Sequence, residues 1–97
     1  MPATRIIDSK QVWPDGTIVQ MIVWQLPQPA PDRPHGFKYR LYCGRGGRCL
    51  VRYDNETGKG DHKHIGDREM PYRFRSLTGL IDNFRADIRR LLGDRYA

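Results

Sequence analysis

Ninety-seven residues carry 17 Lys and Arg against 11 Asp and Glu, a formal net charge of +6 and a sequence pI near 9.7. That length fits one domain, residues 1–97, with a modest core. There is no apolar run near the roughly 18 residues of a membrane span, no apolar segment of a secretory leader, and no disulfide framework in two cysteines, so a cytoplasmic protein with free thiols is expected.

Residues 8–26 read as a first β-hairpin. WPDGT at 13–17 supplies the turn: Pro14 presets its φ, Asp15 can accept a bond from the local backbone, and Gly16 tolerates positive φ. The strand after it, TIVQMIVWQL, places Ile18, Ile22, Trp24 and Leu26 on one face and Val19, Met21 and Val23 on the other. Apolar residues on both faces predict a strand covered on both sides. Trp13 and Trp24 read more readily as core or hairpin aromatics than as base-stacking platforms. Residues 27–36, PQPAPDRPHG, hold too many prolines for a helix or an interior strand and read as a loop, in which His35 has no evident partner.

FKYRLYC and RCLVRY, joined by GRGG, form a second hairpin. Phe37, Tyr39, Leu41 and Cys43 share a face with Cys49, Val51 and Tyr53; Lys38, Arg40, Tyr42, Arg48, Leu50 and Arg52 take the other. The first set predicts the core side. The second makes a basic face, the candidate nucleic-acid surface, with Lys38, Arg40, Arg48 and Arg52 as its cations. Tyr72 and Phe74 alternate with Arg73 and Arg75 and suggest one more short strand. Ser76 then caps a helix whose Leu77, Leu80, Ile81, Phe84, Ile88, Leu91 and Leu92 follow helical spacing, and Gly93 ends it. Asp82 and Asp87 each precede an arginine by three residues and read as weak surface support. The expected architecture is α+β: an antiparallel sheet of four to five strands, in two hairpins, with one C-terminal helix on one face.

The densest polar stretch is YDNETGKGDHKHIGD, residues 53–67. If extended, His62 and His64 point to one side, with Cα atoms about 6.6 Å apart, and Lys63 points to the other. Two imidazoles so spaced can flank a phosphate, one taking a proton while the other gives one. Lys59, Lys63 and Arg73 are candidate stabilisers of the phosphoryl charge, and Asp61 or Glu56 a candidate orienter of a ring. Gly58 and Gly60 allow close backbone approach to a phosphate, but GKG lacks the spacing of a Walker loop. The same residues also fit a solvated turn, or a metal site in which His62 and His64 are joined by Asp61, Asp67 or Glu56. The residues alone leave these three readings open.

YDNETGKGDHKHIGDREMPYRF resembles the central signature of the TumE family of bacterial toxins, and the resemblance extends over about residues 13–92 through DGTIVQMIVWQLPQP, FKYRLYC and LIDNFRADIRRL. It carries over Asp54, Asn55, Glu56, Gly58, Lys59, Gly60, Asp61, His62, His64, Tyr72, Arg73 and Phe74. The resemblance implies the toxin half of a two-gene module, neutralised by a cognate antitoxin protein, and a class of toxin that commonly acts on RNA. The expectation that follows is a metal-independent endoribonuclease with His62 and His64 as acid and base and no cofactor. Its rivals are a metal-dependent nuclease at the same residues and a module that inhibits by occupying nucleic acid or protein.

Overall fold

The computed structural model describes residues 2–56 and 58–93. Six strands run in sequence order through one antiparallel sheet: β1 (Thr4–Val12), β2 (Ile18–Gln25), β3 (Phe37–Arg45), β4 (Arg48–Asp54), β5 (His62–Ile65) and β6 (Arg68–Pro71); α1 (Leu77–Leu92) follows. The α+β class and the C-terminal helix are as the sequence predicts, but the sheet has six strands rather than four to five. The added hairpin is β5–β6. Its strands, HKHI and REMP, are four residues each and mostly polar, so they carry no apolar alternation. Tyr72 and Phe74 lie outside a strand, just beyond β6.

The turns follow their chemistry. Asp15 accepts the Thr17 N–H at 3.0 Å and Gly16 sits at φ 87°. The β3–β4 turn is the pair Gly46–Gly47, at φ 61° and 75°, the positive values a two-residue hairpin needs to match the strand twist. A bulge between Cys43 and Gly44 interrupts that ladder. It breaks the alternation of β4, so Leu50, expected on the basic face, packs against the core instead.

α1 covers one face of the sheet. Leu80, Phe84 and Ile88 are buried against Val23, Tyr39, Leu41, Cys43, Val51 and Tyr53, and each such apolar side chain contributes about 1.5–3 kcal/mol. Ser76 caps the helix by accepting the Gly79 N–H at 2.9 Å, and Gly93 leaves it at φ 97°. Asp87 is not the surface residue its spacing suggests. It is 5 % exposed and ties the helix to the sheet, accepting from the Tyr53 hydroxyl and from Lys63 Nζ at 3.2 Å, while Arg90 reaches it from outside at 2.9 Å. Burial, with this bond to Asp87 second, holds the Tyr53 hydroxyl far above its usual range. Among the described residues, no element covers the opposite face of the sheet, so β2 is covered on one side only. Among the described residues, no helix is long and apolar enough to cross a membrane.

Candidate functional site

Strand alternation sorts the polar stretch onto two faces. Arg40 lies opposite Asp54, Asp54 opposite His62, and Arg52 opposite His64. All five project from the face turned away from α1, because Leu41, Val51 and Tyr53, which alternate with them, form the core beneath the helix. The two histidines and the basic face are therefore one surface. Lys63, between the histidines, points to the helix side and is bound to Asp87.

Four side chains meet there. His62 Nε2 is 2.5 Å from Asp54 Oδ1, Arg52 Nε is 3.2 Å from Asp54 Oδ2, and Arg52 Nη2 is 2.9 Å from His64 Nε2. The imidazoles stand edge-on, with centroids 5.4 Å apart. Asp54 and His62 are buried and His64 is half-buried. The hydrogen-bond partners of each ring fix its tautomer. His62 Nδ1 faces the Gly60 carbonyl at 3.0 Å; a carbonyl only accepts, so Nδ1 carries a hydrogen. A guanidinium only donates, so His64 Nε2 presents a lone pair to Arg52, and its proton sits on Nδ1. The 2.5 Å contact between His62 Nε2 and Asp54 Oδ1 lacks the alignment of an N–H···O bond. Two lone pairs would repel at that separation, so the contact is one of charge: an imidazolium against a carboxylate, or both atoms facing a cation.

Asp54, His62 and His64 each offer one ligand atom within 4.8 Å of the others. Two imidazoles and a carboxylate suit several divalent ions, so these three would hold a metal if one binds. The third ligand is then Asp54, not the Asp61, Asp67 or Glu56 that spacing suggests. Arg52 already brings a positive charge against both Asp54 and His64, and competes with an ion for the same donors.

The remaining predicted residues lie around this cluster or away from it. Asp61 orients a histidine, but that ring is His35. His35 Nδ1 accepts the Phe37 N–H at 3.1 Å, so Nε2 bears the hydrogen and donates to Asp61 at 3.0 Å. Tyr39 Oη also donates to Asp61, at 2.6 Å, and His35 stacks on Phe74 at 3.9 Å. Asn55 braces the same corner: its Oδ1 accepts the Tyr39 N–H and its Nδ2 donates to the Phe37 carbonyl. His35 therefore has the partner that its proline-rich loop concealed in the sequence. Glu56 is exposed and lines an open groove of about 500 Å³ with Trp24, Arg33, Lys38, Arg40 and Asp54. Lys59 and Arg73 are exposed, and neither side chain forms a hydrogen bond or ion pair among the described residues. Arg48 is exposed at the tip of the β3–β4 hairpin.

The pairing of Asp54 with His62 and the contacts of Arg52 were the parts the sequence concealed. The signal was the β4–β5 register, which sets Asp54 across from His62, and reading it required HKHI to be recognised as a strand. No curated protein and no solved structure matches the chain. A family model described as "Toxin TumE" matches residues 3–92, a span that takes in the sheet, the cluster and α1. Membership in that family carries a toxin role and, in general, an antitoxin partner. On that match over nearly its whole length, the chain belongs to the TumE toxin family.

Proposed function

We propose that this toxin cleaves RNA without a metal, at the Asp54–His62–His64 cluster. The observation that carries the reading is convergence: two imidazoles and a carboxylate meet on the same sheet face as Arg40 and Arg52. A phosphodiester bound there draws the Arg52 guanidinium to its oxygens, which frees His64 Nε2. His64 then takes the 2′-hydroxyl proton as the 2′-oxygen attacks phosphorus. The P–O5′ bond breaks, and the 5′-oxygen receives a proton from His62 Nε2, with the Asp54 carboxylate beside it as counter-charge. The products are a 2′,3′-cyclic phosphate and a 5′-hydroxyl. Arg52 and Arg40 stabilise the phosphoryl charge, and Lys38 and Arg48 contribute to binding.

Induced expression with mapping of RNA ends tests this. His64→Ala, accumulated to the wild-type level, is expected to abolish both growth arrest and the new ends; persistence of both in His62→Ala and His64→Ala sinks the assignment. The donor set of Asp54, His62 and His64 favours one second reading, a divalent ion that activates water in place of the proton relay. Full cleavage by purified protein in excess chelator removes that reading. Loss in chelator with recovery on adding a single divalent ion replaces the first reading with it.

A further inference from the structure

We infer that Trp24 is a stacking platform for a base of single-stranded RNA, held beside the cluster on the same face; this rests on the reading of the cluster as an RNA site. Trp24 takes no part in the core beneath α1, although Trp13 packs against it. It is half-exposed on the open face and lines the groove of about 500 Å³ that also reaches Asp54. Register places Arg5 of β1 on one side of it and Lys38 of β3 on the other. The Arg5 guanidinium lies 5.8 Å and the Lys38 ammonium 5.2 Å from the ring centroid. An indole between two cations, in a groove with Arg40 and Arg33, has the chemistry of a single-strand site: a π-face for a base and positive charge for the phosphates on either side.

The occupant follows from charge and shape. The groove carries more cations than acids, so it attracts a polyanion. A duplex keeps its bases stacked inside, whereas a single strand offers them to an aromatic ring. Trp24 lies three strands from β5, so with strands about 4.8 Å apart it is roughly 14 Å from the histidines, and the stacked base belongs to a flanking nucleotide rather than to either one joined by the scissile phosphate. Stacking displaces a cation from the indole. An exposed cation–π contact is worth a factor of about two to five in affinity, and a stacked base about five to a hundred or more, so the exchange favours the base. The freed Lys38 or Arg5 is then placed to meet a phosphate.

The test separates binding from cleavage. The probe is a labelled single-stranded RNA with 2′-O-methyl groups, which cannot undergo 2′-oxygen attack, compared with the duplex of the same sequence. Trp24→Ala is expected to weaken single-strand binding at least about fivefold and to leave the weaker duplex binding unchanged. Trp24→Phe should keep most of the affinity, and serves as the test if Trp24→Ala does not fold. Equal single-strand affinity of wild type and Trp24→Ala, with both folded, overturns the inference. So does a wild-type protein that does not bind the single strand, or a Trp24→Ala protein that loses antitoxin capture while binding RNA normally. Trp24-dependent binding with no cleavage of unmodified RNA leaves this inference standing and removes the nuclease. Cleavage with no dependence on Trp24 does the reverse.

Discussion

Lys63 lies between the two site histidines in sequence and on the other side of the sheet in space, and a double-mutant cycle with Asp87 turns that separation into numbers. Its ammonium is 3.2 Å from Asp87 Oδ2; the Lys63 side chain is 22 % exposed and the Asp87 side chain 6 %. At an effective dielectric constant of about 20, the gross attraction at that distance is about 5 kcal/mol, and desolvation of the buried carboxylate cancels most of it. Lys63→Ala leaves Asp87 with the Tyr53 hydroxyl and Arg90, so its cost should be about 1–2 kcal/mol. Asp87→Ala strands the buried Tyr53 hydroxyl and leaves Lys63 half-buried without its counter-charge, for about 2–4 kcal/mol. The double mutant no longer has a lone ammonium beside a vacant carboxylate position, so the coupling should be about 1–2 kcal/mol. Urea unfolding of the four proteins measures it. RNA binding by Lys63→Ala, at a temperature where it is fully folded, should fall by no more than about threefold, because the ammonium itself lies on the helix side and only the clamp is lost. A Lys63→Ala protein of wild-type stability with RNA binding reduced tenfold would refute the placement of Lys63 on the helix side.

Asn55→Ala removes a fully buried amide that satisfies the Tyr39 N–H and the Phe37 carbonyl, and should cost about 2–4 kcal/mol in urea unfolding; a loss below about 1 kcal/mol contradicts the bracing role. Gly44→Ala places a Cβ 2.1 Å from Tyr42 Oη and 2.8 Å from the Arg48 carbonyl, so it should destabilise by about 1–3 kcal/mol; because the second contact is with backbone, adding Tyr42→Ala should restore only part of the loss. Burial pushes the Cys43 thiol from 9.0 up to about 11, and burial followed by acidic neighbours raises Tyr39 and Tyr53 further. Folding holds these groups protonated, so their stabilisation is complete below their ordinary pKa values and is lost as pH rises. For Cys43 the window is pH 9.0 to about 11, about 2–3 kcal/mol by linkage, and Cys43→Ala should flatten that part of the stability–pH curve.

The residues that alternation could reach were legible. The two-sided pattern of FKYRLYC places Lys38, Arg40 and Tyr42 opposite Tyr39, Leu41 and Cys43, and Tyr39, Leu41 and Cys43 are buried. Helical spacing gave α1, and its buried ridge is Leu80, Phe84 and Ile88. What failed was whatever depended on partners distant in sequence. Asp87 reads as exposed because nothing local says that Tyr53 and Lys63 lie beneath it. His35 and Asp61 are 26 residues apart, so their contact has no local signature. Leu50 changed sides because a single bulge resets the period, and bulges follow from ladder geometry rather than composition. β5 was hidden because a strand with histidines facing one way and a salt-bridged lysine the other shows no hydrophobic period at all.

A histidine pair on a free turn would sample many geometries, whereas acid–base chemistry requires the rings to be held to within about half an ångström. Here the backbone holds them. The β4–β5 ladder fixes Asp54 against His62 and Arg52 against His64, and the Gly60 carbonyl fixes the His62 tautomer. On the other side of the sheet, the Lys63–Asp87 pair clamps the middle of β5 to the helix. The polar density of residues 53–67 thus divides into a structural half that secures a short strand and a half, with the two histidines, that the strand presents on the open face. It follows that weakening the clamp should loosen the cluster without touching it. Asp87→Asn, which keeps an acceptor for Tyr53 but drops the charge, should broaden the His62 and His64 ring resonances while leaving those of His35 sharp, because His35 is held by Asp61 and Phe74 on a different corner of the fold.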